Sequence, residues 1–127
     1  MIIWCCCTQC RSDSIVDPQT VAATTDGVVN MIVEIPAGTN RKVEFDYEMG
    51  IFKTDQKNGK DRIIDFLPYP GNYGFVPGTL MDKARGGDGD ALDILVLSEA
   101  QPTGSLLSVR MLGALVLRDR GEIDTKL

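Results

Sequence analysis

The stretch Asp88-Gly89-Asp90-Ala91-Leu92-Asp93 sets three carboxylates directly ahead of the apolar run Ile94-Leu95-Val96-Leu97. That run reads as a buried strand. Desolvating an ionised carboxylate without compensation is costly, so these acids are either solvated at the strand's mouth or neutralised by cations. Gly86, Gly87 and Gly89 let the preceding loop turn tightly. Oxygen-only clusters suit hard ions such as Mg²⁺, Mn²⁺ or Ca²⁺ better than zinc. An isolated D-x-D is more often a solvated acidic turn, so the rest of the chain has to decide.

The 127 residues fit one domain with a single hydrophobic core. A formal charge of −5 opposes general nucleic-acid binding, which needs a basic footprint, and is compatible with divalent cations. There is no histidine. Ser-His-Asp and Cys-His nucleophiles, imidazole acid–base catalysis and most zinc sites are thereby excluded. Chemistry must rest on carboxylates, Lys, Arg, Tyr or metal-activated water. Cys5, Cys6, Cys7 and Cys10 all lie in the first ten residues, leaving the remainder cysteine-free. Cys7-Thr8-Gln9-Cys10 has C-x-x-C spacing, but no second pair or histidine completes a tetrahedral site. Met1-Ile2-Ile3-Trp4 lacks a basic flank and is too short for a signal-peptide core. It reads as a disordered start or as the remnant of a longer, lipoprotein-type leader. No segment approaches transmembrane length.

The elements that must position the acids are short strands. Residues 11–26 are polar and small and read as a linker, so the chain divides into an arm over 1–26 and a domain over 27–127. Val28 to Ile35 places Met31, Val33 and Ile35 on one face, with Ile32 and Glu34 on the other. Val43 to Tyr47 alternates with period two. Ile51 to Thr54 is expected to pair across the turn Lys57-Asn58-Gly59-Lys60 with the strand that follows. Arg62 to Leu67, Tyr73 to Val76, Ala91 to Leu97 and Ser105 to Leu117 continue the pattern, and no amphipathic helix is evident. Many short strands separated by turns predict a mainly β chain built as a small barrel.

Several polar residues accompany these strands: Glu34, Lys42, Arg62, Tyr73, Asp119, Asp124 and Lys126. Singly, each fits a solvated surface. Together they offer carboxylates for several cations, with Lys, Arg and a phenol suited to phosphate oxygens. That inventory matches metal-assisted phosphoryl transfer to water.

On these residues the chain resembles the soluble, Mg²⁺-dependent inorganic pyrophosphatases of family I. The resemblance runs through Val33-Glu34-Ile35-Pro36, Lys42-Val43-Glu44, Asp61-Arg62, Pro70 to Thr79, the D-x-D-x-x-D from Asp88 to Asp93, and the segment Asp119 to Lys126. It implies a five-stranded, OB-like barrel with a pyrophosphate site at its acidic mouth. By matched position, Asp88, Asp93 and Asp124 hold the activating ions, Asp119 joins for further ions, and Glu34 supports the network through water. Asp90 takes a proton from the attacking water or holds it as a metal-bridged hydroxide, while Lys42, Arg62, Tyr73 and Lys126 bind the phosphates. Mg²⁺ is the implied cofactor, with Mn²⁺ as a substitute, and pyrophosphate and phosphate are the implied ligands.

Two departures accompany the resemblance. Ala91 stands where the motif usually carries Pro or Glu. The family also continues past the position of Lys126 into a further strand and helices that supply a Tyr-Lys pair, so an incomplete, weakly active or inactive domain is the alternative expectation. Full-length relatives are homo-oligomers, and self-association here is left open. An EF-hand reading fails because Leu92 and Asp93 occupy loop positions five and six. An OB-type nucleic-acid binder is opposed by the acidic charge. A cytoplasmic location follows from the resemblance, with a lipid-anchored or exported form as the alternative if the cysteine-rich start is a leader remnant.

Overall fold

A computed structural model describes residues 16–127. Cys5, Cys6, Cys7 and Cys10, with the C-x-x-C and leader readings built on them, lie outside the described residues. In chain order the strands are β1 (Thr24–Thr25), β2 (Val28–Ile35), β3 (Val43–Asp46), β4 (Ile51–Thr54), β5 (Gln56–Lys57), β6 (Lys60–Asp61), β7 (Asn72–Val76), β8 (Leu92–Val96), β9 (Leu106–Val109), β10 (Leu115–Asp119) and β11 (Glu122–Lys126). Two 3₁₀ turns, Pro18–Thr20 and Lys83–Arg85, are the only helical elements among the described residues. The chain is mainly β, as expected.

β2 is the central strand because it is apolar on both sides. Met31 and Val33 pack with Val76 and Ile94, while Ile32 packs with Phe45 and Phe75 on the opposite face. The main sheet runs β1-β2-β7-β8-β11-β10, with β9 also paired to β2. All these contacts are antiparallel except β8 with β11, which are parallel with Lys126 beside Asp93. The hydrogen-bonded path is open. After β9 the chain passes through residues 110–114 without pairing, and β10 has only β11 beside it among the described strands. The ladder is thus an open path among the described residues, and the expected fold class is met in its mainly β character.

A bulge in β2 changes the expected facing. Ile32 pairs with Phe75 and Val33 with Gly74, but Ile35 rather than Glu34 pairs with Tyr73. Directly paired residues share a face, so Ile35 leaves the row of Met31 and Val33 and joins the side of Tyr73 and Phe75. The extra residue is Glu34, re-aimed as bulges re-aim side chains. The close approach of the two strands there requires Gly74. A Cβ on it would lie 1.9 Å from the Ile32 carbonyl oxygen. Beside it, fully buried Asn72 accepts from the Ala37 and Gln101 amides and donates to Ser98 Oγ and the Glu99 carbonyl, tying two loops to β7.

Four local expectations are corrected. Ile51–Thr54 pairs backwards with Val43–Asp46, and the Asn58-Gly59 turn instead closes the short hairpin β5–β6. Both turn residues have positive φ, which a two-residue hairpin needs. Arg62 to Leu67 forms no strand. Only Ile63 bridges, to Arg41, before Pro68 and Pro70 interrupt pairing. Ser105 to Leu117 splits into β9 and β10 around Gly113. Finally, the described part of the expected loose arm is tied down. Asp17 caps the first 3₁₀ turn, Pro18 is buried, and β1 pairs with β2.

Candidate active site

Strand pairing gathers the site on one face. Phe75 opposes Asp93, and Asp93 lies beside Lys126 in the parallel pair. Alternation along β11 adds Asp124 to the same side. Glu34 projects there from its bulge, and Lys42, Glu44 and Tyr47 approach from β3 and the residues flanking it on either side. Between them lies a pocket of about 230 Å³ lined by Glu34, Lys42, Glu44, Tyr73, Asp90 and Asp93, with Phe45, Tyr47 and Phe75 as an aromatic wall.

Lys126 is the hub of one half. Its Nζ donates to Asp93 Oδ2 at 2.6 Å, Asp124 Oδ1 at 2.8 Å and the Tyr73 hydroxyl at 3.0 Å. Tyr73 in turn donates to Asp93 Oδ2 at 2.5 Å. Burial opposes the ammonium's charge, but its bonds to Asp124, Asp93 and Tyr73 outweigh that and hold its pKa above the ordinary lysine value. Burial and the neighbouring Asp93 charge push the Tyr73 phenol up, so it stays a donor.

Glu34 and Asp90 are the strained acids. Burial pushes Glu34 to about 8, although its carboxylate accepts from the Phe45 amide at 2.8 Å. Burial, then the charges of Asp88, Asp93 and Glu44, raises Asp90, with Lys83 pulling the other way. The loop carrying Asp90 is fixed locally. Asp88 Oδ1 accepts from the Asp90 amide, and Met81 exchanges bonds with Asp90 and Gly89. Gly89 has a φ of 90°, a left-handed conformation that glycine adopts freely.

The other basic half is Lys42 with Arg62. Lys42 pairs with Glu44 and lies 3.8 Å from Asp55, to which Arg62 Nη1 donates at 3.0 Å. Burial works against the Asp55 charge, yet the Arg62 bond and the Lys42 charge hold its carboxyl below the usual range.

Of the residues singled out from the sequence, the pocket itself unites Glu34, Lys42, Tyr73, Asp90 and Asp93. Lys126 and Asp124 join through Asp93 and Tyr73, and Arg62 joins Lys42 through Asp55. Asp88 instead braces its own loop. Asp119 is exposed at the end of β10, paired with Glu122 across the hairpin and on the face of Asp124. Glu44, Tyr47 and Asp55 carry contacts to the site that sequence reading did not assign. Glu44 lay within a quoted motif, two residues after Lys42, where strand alternation returns a side chain to the same face.

The donor set fits a hard divalent cation in its chemistry. It is all oxygen, and burial together with the charges of Asp88 and Asp93 raises the proton affinity of Asp90, a cost that a cation would relieve. The carboxylates are not gathered around one point. Among the described residues no three acidic groups converge closely enough to hold an ion, and the Lys126 ammonium bridges Asp93 and Asp124.

The sequence profile of the inorganic pyrophosphatase family matches residues 31–127. An inorganic pyrophosphatase of Sulfolobus acidocaldarius is 43% identical over 101 residues, 79% of this chain and 53% of the relative. One from Synechocystis is 39% identical over 103 residues, 80% of this chain and 54% of the relative. The crystal structure of the type I enzyme from Toxoplasma gondii superposes with a TM-score of 0.78 at 33% identity, covering 84% of this chain and 54% of that one. The chain thus spans about half the length of the relatives it matches. The matched span holds the bulged Glu34, the Asp88 to Asp93 loop and the Lys126 hub alike, and by it the chain belongs to the inorganic pyrophosphatase family.

Proposed function

We propose that this chain hydrolyses inorganic pyrophosphate to two phosphates, with Mg²⁺ as its metal and Mn²⁺ as a substitute. The observation that carries the reading is one pocket in which carboxylates and cationic groups lie side by side. Glu34, Glu44, Asp90 and Asp93 line it with Lys42, and Lys126 and Arg62 are one contact away. A metal-loaded diphosphate is complementary to both kinds of group at once. In this reading Asp88, Asp93 and Asp124 would hold the ions, with Asp119 for a further one and Glu34 behind them. Cations bound there would supply charge neutralisation and Lewis acidity. Asp90 would take a proton from the attacking water, a task suited to a carboxylate whose proton affinity is raised by burial and like charge. Lys42, Arg62, Tyr73 and Lys126 hold phosphate oxygens in line as the bridging P–O bond breaks.

The test is orthophosphate release from pyrophosphate by this chain, with millimolar Mg²⁺ or with chelator. Mg²⁺-dependent release supports the reading; no release from folded protein overturns turnover. A second reading, in which the same face binds cation and diphosphate without turnover, draws on the Lys126 ammonium that already bridges Asp93 and Asp124. Saturable binding of imidodiphosphate without phosphate release selects it. We further propose residues 27–127 as the catalytic domain and a cytoplasmic location, where biosynthesis releases pyrophosphate. Among the described residues no helix is long and apolar enough to cross a membrane.

A further inference from the structure

We infer that Asp55 is a positioning residue that sets Lys42 and Arg62 as one phosphate-binding fork, an inference that rests on the pyrophosphatase reading. The backbone brings the three together first. The Asp55 amide donates to the Lys42 carbonyl, the Arg62 amide to the Asp55 carbonyl, and the Lys42 amide to the Arg62 carbonyl, at 2.8, 2.8 and 3.0 Å. This closed triangle lies where β3, β4 and the β5–β6 hairpin meet, so the three side chains leave from one spot. The Asp55 carboxylate, with its side chain three-quarters covered, then reaches both cations through the same oxygen, Oδ2.

Arg62 spends Nη1 on Asp55, and among the described residues that is its only side-chain hydrogen bond. The rest of the guanidinium is left for an anion. Lys42 is pulled from two sides, by Glu44 and by Asp55, which fixes it at the pocket wall rather than in solvent. A long cation held in place loses less freedom on binding an anion than a free one does.

The sign of the effect separates this role from simple electrostatics. Removing a negative charge beside a phosphate site tightens anion binding if Asp55 acts only through its field. Removing it weakens binding if Asp55 holds the fork in place.

The experiment measures imidodiphosphate binding by calorimetry in millimolar Mg²⁺ on the 127-residue chain. The variants are Asp55→Asn, Asp55→Glu, Lys42→Met and the double variant Lys42→Met/Asp55→Asn. Melting curves fix an assay temperature at which every variant is folded. The expected result is about tenfold weaker binding for Asp55→Asn, the size of the cost of ordering a long cationic side chain on binding. Asp55→Glu recovers part of the loss, and Asp55→Asn has a smaller effect once Lys42 is gone. Unchanged or tighter binding in Asp55→Asn overturns the inference, as does full additivity with Lys42→Met. If the unsubstituted chain binds no imidodiphosphate, the pyrophosphatase reading falls and takes the inference with it.

Discussion

Replacing Glu34 by Gln in metal-free protein should remove a pH dependence of stability that the fold itself creates. Burial raises this carboxyl from 4.5 to about 8 in the folded chain. In the unfolded chain it ionises at its ordinary value. Between those two points the folded state holds one more proton, so stability falls as pH rises through the window. At about 1.4 kcal/mol per unit of pKa, the full shift caps the loss at ~4–5 kcal/mol. Because the side chain borders a pocket open to solvent, roughly half that, ~2 kcal/mol, is the working figure. For a domain of about 100 residues this corresponds to a drop of ~10 °C in melting midpoint. No histidine titrates in the same interval to mask it. The assay is thermal melting in chelator at pH 5, 6, 7 and 8. The unsubstituted protein should lose stability across the series and Glu34→Gln should lose clearly less, retaining only what the raised Asp90 contributes, since the Phe45 amide still finds a carbonyl acceptor. Parallel curves for the two proteins would refute the reasoning.

Gly74→Ala should cost ~3 kcal/mol or more, because the new Cβ can be accommodated only by parting β2 from β7; an unchanged melting midpoint would count against the described strand approach. Tyr73→Phe removes both bonds of the hydroxyl while leaving Lys126 on Asp93, so stability should fall by about 1–2 kcal/mol and KM for pyrophosphate should rise more than kcat falls. A change confined to kcat would show that Tyr73 does not hold substrate. Asp119→Asn should leave stability within ~0.5 kcal/mol, as expected at an exposed position. A Mg²⁺ titration of activity should differ from that of the unsubstituted chain only at the high end, and identical titrations would remove Asp119 from the metal set.

What was legible in the sequence was whatever depends on local pattern. The segments Tyr73 to Val76 and Ala91 to Leu97 read as strands, and Asp88 to Asp93 reads as an acidic loop ahead of the second; that the two strands pair is a finding of the fold. Residues whose roles come from non-local pairing were not legible from periodicity. The parallel contact of β8 with β11 brings Lys126 to Asp93, and no spacing along the chain encodes it. The bulge at Glu34 broke the strict alternation that had put Ile35 beside Val33. The Asn58-Gly59 turn was read correctly as a hairpin, but with the wrong arms. Thr54 is already paired to Val43, so only Gln56–Lys57 and Lys60–Asp61 remain to flank it. Asp55 stands out by no local pattern along the chain; only the fold sets Lys42 and Arg62 against it.

The most direct measurement is Mg²⁺-dependent phosphate release from pyrophosphate by this chain and by its Asp90→Asn variant, side by side. Release by the unsubstituted chain, cut at least ~100-fold in the variant while imidodiphosphate binding persists, is the expected result for a base that acts in the chemical step. Equal rates in the two proteins would contradict the assignment of Asp90, and no release from either would contradict the proposal that this chain turns pyrophosphate over.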